Sequence, residues 1–146
     1  RFASAWLIRR CIDPEARFAF VNDSNDLKDA VAFDMYSGGF GHERGLCTFE
    51  VLQTRFGIVD AAVRRIGEIV HDIDLKEDRY RAPQTAAIGV LVDGLRSSFA
   101  DDHALLEQGM VLFESLYRGL GQTEKGPVTT ASLMNAKSLR KSGGPK

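Results

Sequence analysis

The chain has 146 residues, 44% of them hydrophobic and 27% charged, with a formal net charge of −1. That is one domain with enough apolar content for a core, and its balanced charge excludes any global pull toward nucleic acid or an anionic membrane. No apolar run approaches the roughly 18 residues that span a bilayer, and two cysteines are too few for a disulfide framework and fit a reducing compartment.

In chain order, Arg1 stands directly against a helical pattern with no initiator Met and no signal peptide, so the natural protein is expected to extend further N-terminally. Ala3 to Ile12 reads as a short helix with Trp6, Leu7 and Cys11 facing inward, stopped at Asp13-Pro14. Arg17 to Val21 is aromatic and β-branched enough for a strand. Asn22 to Asp26 reads as a turn that caps one or two helical turns through Val31, and Ala32 to Met35 as a second short strand. Thr48 is the expected N-cap of the next helix, with Glu50 at its positive end and Gly57 just past its end. Asp60 to about Leu75 carries the stripe Val63, Ile66, Val70 and Ile73. Pro83 opens a further helix whose buried line is Ile88, Leu91, Leu95 and Phe99, and Ser98 to Asp101 starts a last helix reaching about Arg118. The fold class is therefore mainly α, an α+β chain with a minor short β element near the N-terminus, built as a compact bundle of about five helices. Residues 1–120 form the domain, and 121–146 turn to Gly, Ser, Lys and Pro and read as a mobile polar tail.

Between these elements lies Phe33 to Glu50, which gathers Gly38, Gly39, Gly41 and Gly45 around His42 and Cys47. Glycines at this density mark a backbone that must turn sharply or approach something closely, so the loop reads as a placed site. Its partners are sought among polar residues on apolar helix faces. At about 100° per residue, Asp74 falls beside the Val63 stripe while Asp72 points the opposite way into solvent and His71 lies at the margin. In the last helix Asp102 sits near the middle of the face formed by Leu105, Leu106, Leu112, Phe113, Leu116 and Tyr117, with His103 at its border and Glu107 one turn below. A carboxylate on such a face needs a cation, a metal or several donors, because desolvating it alone costs several kcal/mol. His42, Asp74, Asp102 and His103 are the candidate metal ligands, with Cys47 a further one. Two imidazoles with carboxylates suit Zn, Fe or Mn, and a thiolate favours Zn. Asp102 in a first helical turn and an unpaired buried Cys47 also have ordinary structural roles, as dipole partner and small hydrophobe. Arg9 and Arg10, with Arg1 and Arg44, offer a cationic site for a tetrahedral oxyanion, although adjacent Arg9 and Arg10 diverge by about 100°.

The segments AWLIRRCIDPEARFAFV, FD, GHERGLCTFE, IVHDID and FADDHALLEQGMVLFESLYRGL, in that order, resemble the C-terminal domain of the chromate-resistance ChrB family. The resemblance covers about Arg1 to Leu120 and departs at Ser4-Ala5, where the family tends to have Cys-Pro. It implies a cytoplasmic bacterial stress-response protein whose DNA-binding part lies N-terminal to this domain, so no direct nucleic-acid binding and no membrane association is expected of this chain. It places His42, Cys47, Asp74, Asp102 and His103 at motif positions. The leading functional expectation is a metal-binding, sensor-like domain with an arginine-assisted contact to a chromate or sulfate-like oxyanion. A small metal-dependent enzyme that activates water or handles oxygen species is the alternative, so enzymatic activity is left open.

Overall fold

A computed structural model describes residues 1–21, 30–34 and 40–124. The turn expected at Asn22 to Asp26 and its short helix, Met35, Gly38, Gly39 and residues 125–146 lie outside the described residues. What is described is a mainly α fold of five helices. Among the described residues no strand forms: the β content reduces to isolated bridges between Phe33 and Phe40 and between Glu43 and Leu46. The strand expected over Arg17 to Val21 does not form: the segment has no ladder partner, and its Phe18 and Phe20 rings pack against the core.

Helix α1, Phe2–Leu7, is buried at every position and lies against both α5 and α2. It continues as a wider π-helical turn, Ile8–Ile12, in which the Asp13 amide reaches back five residues to the Ile8 carbonyl at 2.8 Å. That extra residue rotates the turn relative to α1, so Cys11 is exposed and not inward as an uninterrupted α-helix would place it. Trp6 anchors the core, stacked on Phe49 at 6.5 Å and tilted against Tyr117 at 5.5 Å, with its indole N–H given to Glu114 at 3.0 Å. Burying an aromatic ring such as Phe49, with no exposure at all, contributes about 1.5–3 kcal/mol.

Helix α2, Thr48–Arg55, is capped by Cys47, one residue earlier than expected, and ends at Gly57 with φ +60°. In α3, Ala61–Asp74, the Asp60 side chain accepts the Val63 amide at 2.9 Å, and Val63, Ile66 and Val70 are buried as the stripe requires. Helix α4, Thr85–Ser98, buries Ile88 and Val92, whereas Leu91 is 51% exposed, because only one narrow face of α4 meets α3 and α5. Helix α5, Asp102–Glu124, starts at Asp101, whose carboxylate accepts the Ala104 amide at 2.7 Å. It approaches α1 closely at Gly109, where a Cβ would stand 2.7 Å from the Phe2 Cβ and closer still to its ring. No helix among the described residues is long and apolar enough to cross a membrane.

Candidate metal recess

An open recess of about 410 Å³ lies where the ends of several elements meet. Asp34 and His42 enter from the chain between α1 and α2, Asp74 from the last residue of α3, Arg96 from α4 and Asp102 from the first turn of α5, with Phe2, Phe20 and Leu105 as apolar walls. Three of the four principal candidate ligands, His42, Asp74 and Asp102, thus line one cavity, joined by Asp34. Periodicity did not single out Asp34. Its signal is an aspartate just before a glycine-rich loop, and Asp tolerates the left-handed φ of +55° found there.

Each group has a defined environment. Asp34 accepts the Thr48 hydroxyl at 3.0 Å. His42 accepts the Thr48 amide on Nδ1 at 3.2 Å, so the proton of the neutral ring resides on Nε2. Asp74 is exposed at the rim and not sunk in the core as the wheel suggested, yet the walls and the nearby Asp34 carboxylate raise its pKa. Arg96 is the described side-chain cation of α4 here. Its guanidinium also meets Asp93 at 3.3 Å and lies 5.9 Å from the Phe2 ring. Arg1 lines the recess together with Arg96, so three carboxylates face two arginines, and the raised pKa of Asp74 owes most to desolvation and then to the Asp34 carboxylate.

The other candidates lie elsewhere. His103 is outside the recess lining, its ring packed edge-on against Phe20 at 5.0 Å. Arg9 bonds Glu107 at 3.2 Å and the Ala16 carbonyl at 3.4 Å, over the Phe18 ring. Arg10 bonds both Glu114 oxygens at 2.9 and 3.0 Å, over the Tyr117 ring. The two guanidiniums therefore diverge, and each already faces a carboxylate of α5.

Cys47 belongs to a second group with Glu50 and His71, in which one donor atom from each lies within 4.8 Å of the others. Glu50 Oε2 accepts the Cys47 amide at 2.9 Å and meets His71 Nδ1 at 2.7 Å, while its Oε1 accepts the Tyr80 hydroxyl at 3.1 Å. His71 Nε2 meets Glu77 at 3.2 Å, and Tyr80 packs edge-on against the ring at 5.0 Å. The ring is fully hidden from solvent, not marginal as periodicity suggested. Desolvation opposes the charge on His71, yet the hydrogen bonds to Glu50 and Glu77 prevail and raise its pKa. Glu50 is likewise lowered against desolvation, chiefly by His71. Burial pushes the Cys47 thiol up to about 12. A histidine held from behind by a carboxylate is the arrangement of a metal-bound imidazole. The Glu50 and His71 atoms are paired with each other and with Tyr80 and Glu77, and burial disfavours the Cys47 thiolate. The group then acts as a strut tying the start of α2 to the end of α3.

Asp72, expected in solvent, is buried and accepts the amides of Arg79 at 3.0 Å, Tyr80 at 3.1 Å and Arg81 at 2.8 Å. It folds residues 75–82 back over His71, which the α3 periodicity alone does not encode.

The sequence matches the family model "ChrB, C-terminal domain" over residues 1–120. The Protein ChrB of Cupriavidus metallidurans CH34 is 34% identical over 127 residues, 86% of this chain and 39% of that protein. The chain thus spans about two-fifths of the length of that curated relative. No solved structure matches it. The chain belongs to the ChrB C-terminal domain family.

Proposed function

We propose that this member of the ChrB chromate-resistance family is a metal-binding, sensor-like domain whose ion sits among Asp34, Asp74, Asp102 and His42. The observation that carries this reading is that those four side chains line one solvent-open recess, where an ion would have to draw their donor atoms to within the 4.8 Å spacing already met by Cys47, Glu50 and His71. A divalent cation offsets the carboxylate charge, and an exposed mouth lets it enter. An oxygen-rich set with one imidazole suits Mn(II) or Fe(II) better than a thiolate-seeking Zn(II). For His42 to serve through Nε2, the Nε2 proton must move to Nδ1 and the Thr48 amide must let go, which costs about 1 kcal/mol. His103 braces Phe20 at the rim, and Cys47 with Glu50 and His71 supports α2 behind the site. An oxyanion of the chromate or sulfate type would meet the ion together with Arg96.

A second reading is favoured by the same open mouth. An ion with only protein ligands on one side keeps positions for water, as a metal-dependent hydrolytic or oxygen-handling enzyme requires.

Elemental analysis and calorimetric titration of dialysed protein with Mn(II), Fe(II) under anaerobic conditions and Zn(II) test the proposal. One ion per chain is expected, with affinity lowered about tenfold or more in Asp34→Asn and in Asp74→Asn. Folded protein with no affinity for any of the three ions would falsify it.

A further inference from the structure

Beside the acids, the recess runs into a second hollow of about 340 Å³ that shares Arg1, Phe20, Asp34 and Asp102 with it. Its remaining walls include Phe18, Phe33 and Leu106. The three phenylalanines are half-buried, and each is braced: Phe18 edge-on to Phe33 at 5.8 Å and under Arg9 at 5.1 Å, Phe20 edge-on to His103 at 5.0 Å. Apolar cavities of about 150 Å³ hold a benzene ring, so the hollow has room for one. Convergent polar groups at one end and fixed aromatic walls at the other make a small-molecule site, since a bare ion needs no aromatic slot.

We infer that the site takes a two-part ligand, a bidentate oxygen chelator at the metal with an aryl body in the Phe18, Phe20 and Phe33 slot; this rests on the metal reading above. A cation among the acids would hold an anionic head, and Arg96 in the recess and Arg1, which lines both hollows, face the head's remaining negative charge. His103 has a positioning role, holding the Phe20 ring against the slot.

The probes are benzohydroxamate and acetohydroxamate, which share a chelating head and differ in the ring. Calorimetry on the Mn(II)-loaded chain should give about tenfold tighter binding of benzohydroxamate, as expected for burying one ring. Phe18→Ala and Phe33→Ala, which line the slot and not the metal recess, should remove that preference while leaving acetohydroxamate and Mn(II) affinities unchanged, which also reports that the variants are folded. Bound Mn(II) with equal hydroxamate affinities, or a preference that survives both variants, overturns the slot and leaves the metal reading standing. No bound Mn(II) in the same sample overturns both. Benzylammonium binding to the metal-free chain as tightly as benzohydroxamate binds the loaded one also overturns it, because the acids would then recognise a cationic ligand directly.

Discussion

Thr48 is where the two polar groups touch. Its amide and hydroxyl serve His42 and Asp34 on the recess side, while the neighbouring Cys47 amide is taken by Glu50 on the His71 side. The Glu50 and His71 pair has a pH signature set by its shifts. His71 is raised, so its contribution is complete below the unfolded value of about 6.5 and is lost as pH rises through the folded pKa. Glu50 is lowered, so its contribution is complete above about 4.5 and is lost as pH falls through its folded pKa. The stability difference between wild type and His71→Gln should therefore be greatest between about pH 4.5 and 6.5 and narrow toward pH 9. Chemical denaturation across pH measures it, and a difference that stays flat from pH 6 to 9 would sink the charged-pair account. Asp74 behaves oppositely: its raised pKa means the ionised carboxylate opposes folding at neutral pH. Metal-free Asp74→Asn should be slightly more stable than wild type, by under about 1 kcal/mol because the group is exposed, even as it loses metal. A lower melting temperature for metal-free Asp74→Asn would contradict the raised pKa.

At the scale of elements, periodicity read the helices well where one face simply meets the core. Val63, Ile66 and Val70 of α3 and Leu106 and Phe113 of α5 are buried as their spacing requires. It misread positions whose cover comes from elsewhere in the chain. Asp72 and His71 look peripheral on a wheel of α3, but residues 75–82 fold over them once Asp72 collects three amides. Asp72→Asn should weaken that turn by about 1–3 kcal/mol. Hydrogen exchange at the amides of Arg79 and Arg81 reads it, and unchanged protection there would refute the assigned role. The close crossing of α1 and α5 is a second such feature, because nothing around Gly109 in the sequence announces that Phe2 fills the space above it. Gly109→Ala improves helix propensity yet should destabilise by about 1–3 kcal/mol through overpacking, seen as a lower melting temperature. A neutral or higher melting temperature would mean that α1 can shift.

At the scale of the whole molecule, the recess collects residues 34, 42, 74, 96 and 102 from separate segments, with no compact spacing. His42, Asp74 and Asp102 were legible as polar residues out of keeping with their surroundings. Their convergence was not, because it depends on how α3, α4 and α5 pack. Asp34 and Arg96 escaped notice for the same reason, one on an irregular segment and the other on a helix face that looks solvated. The central claim is that these acids together hold a cation, and titration of dialysed protein with Mn(II) followed by electron paramagnetic resonance tests it most directly. Free Mn(II) gives a sharp six-line spectrum that collapses on binding. Loss of that signal up to one equivalent is expected for wild type and its persistence from the first addition for Asp74→Asn/Asp102→Asn, with His71→Gln behaving like wild type. A full-strength free Mn(II) signal in folded wild type, or wild-type uptake by the double variant, would contradict it.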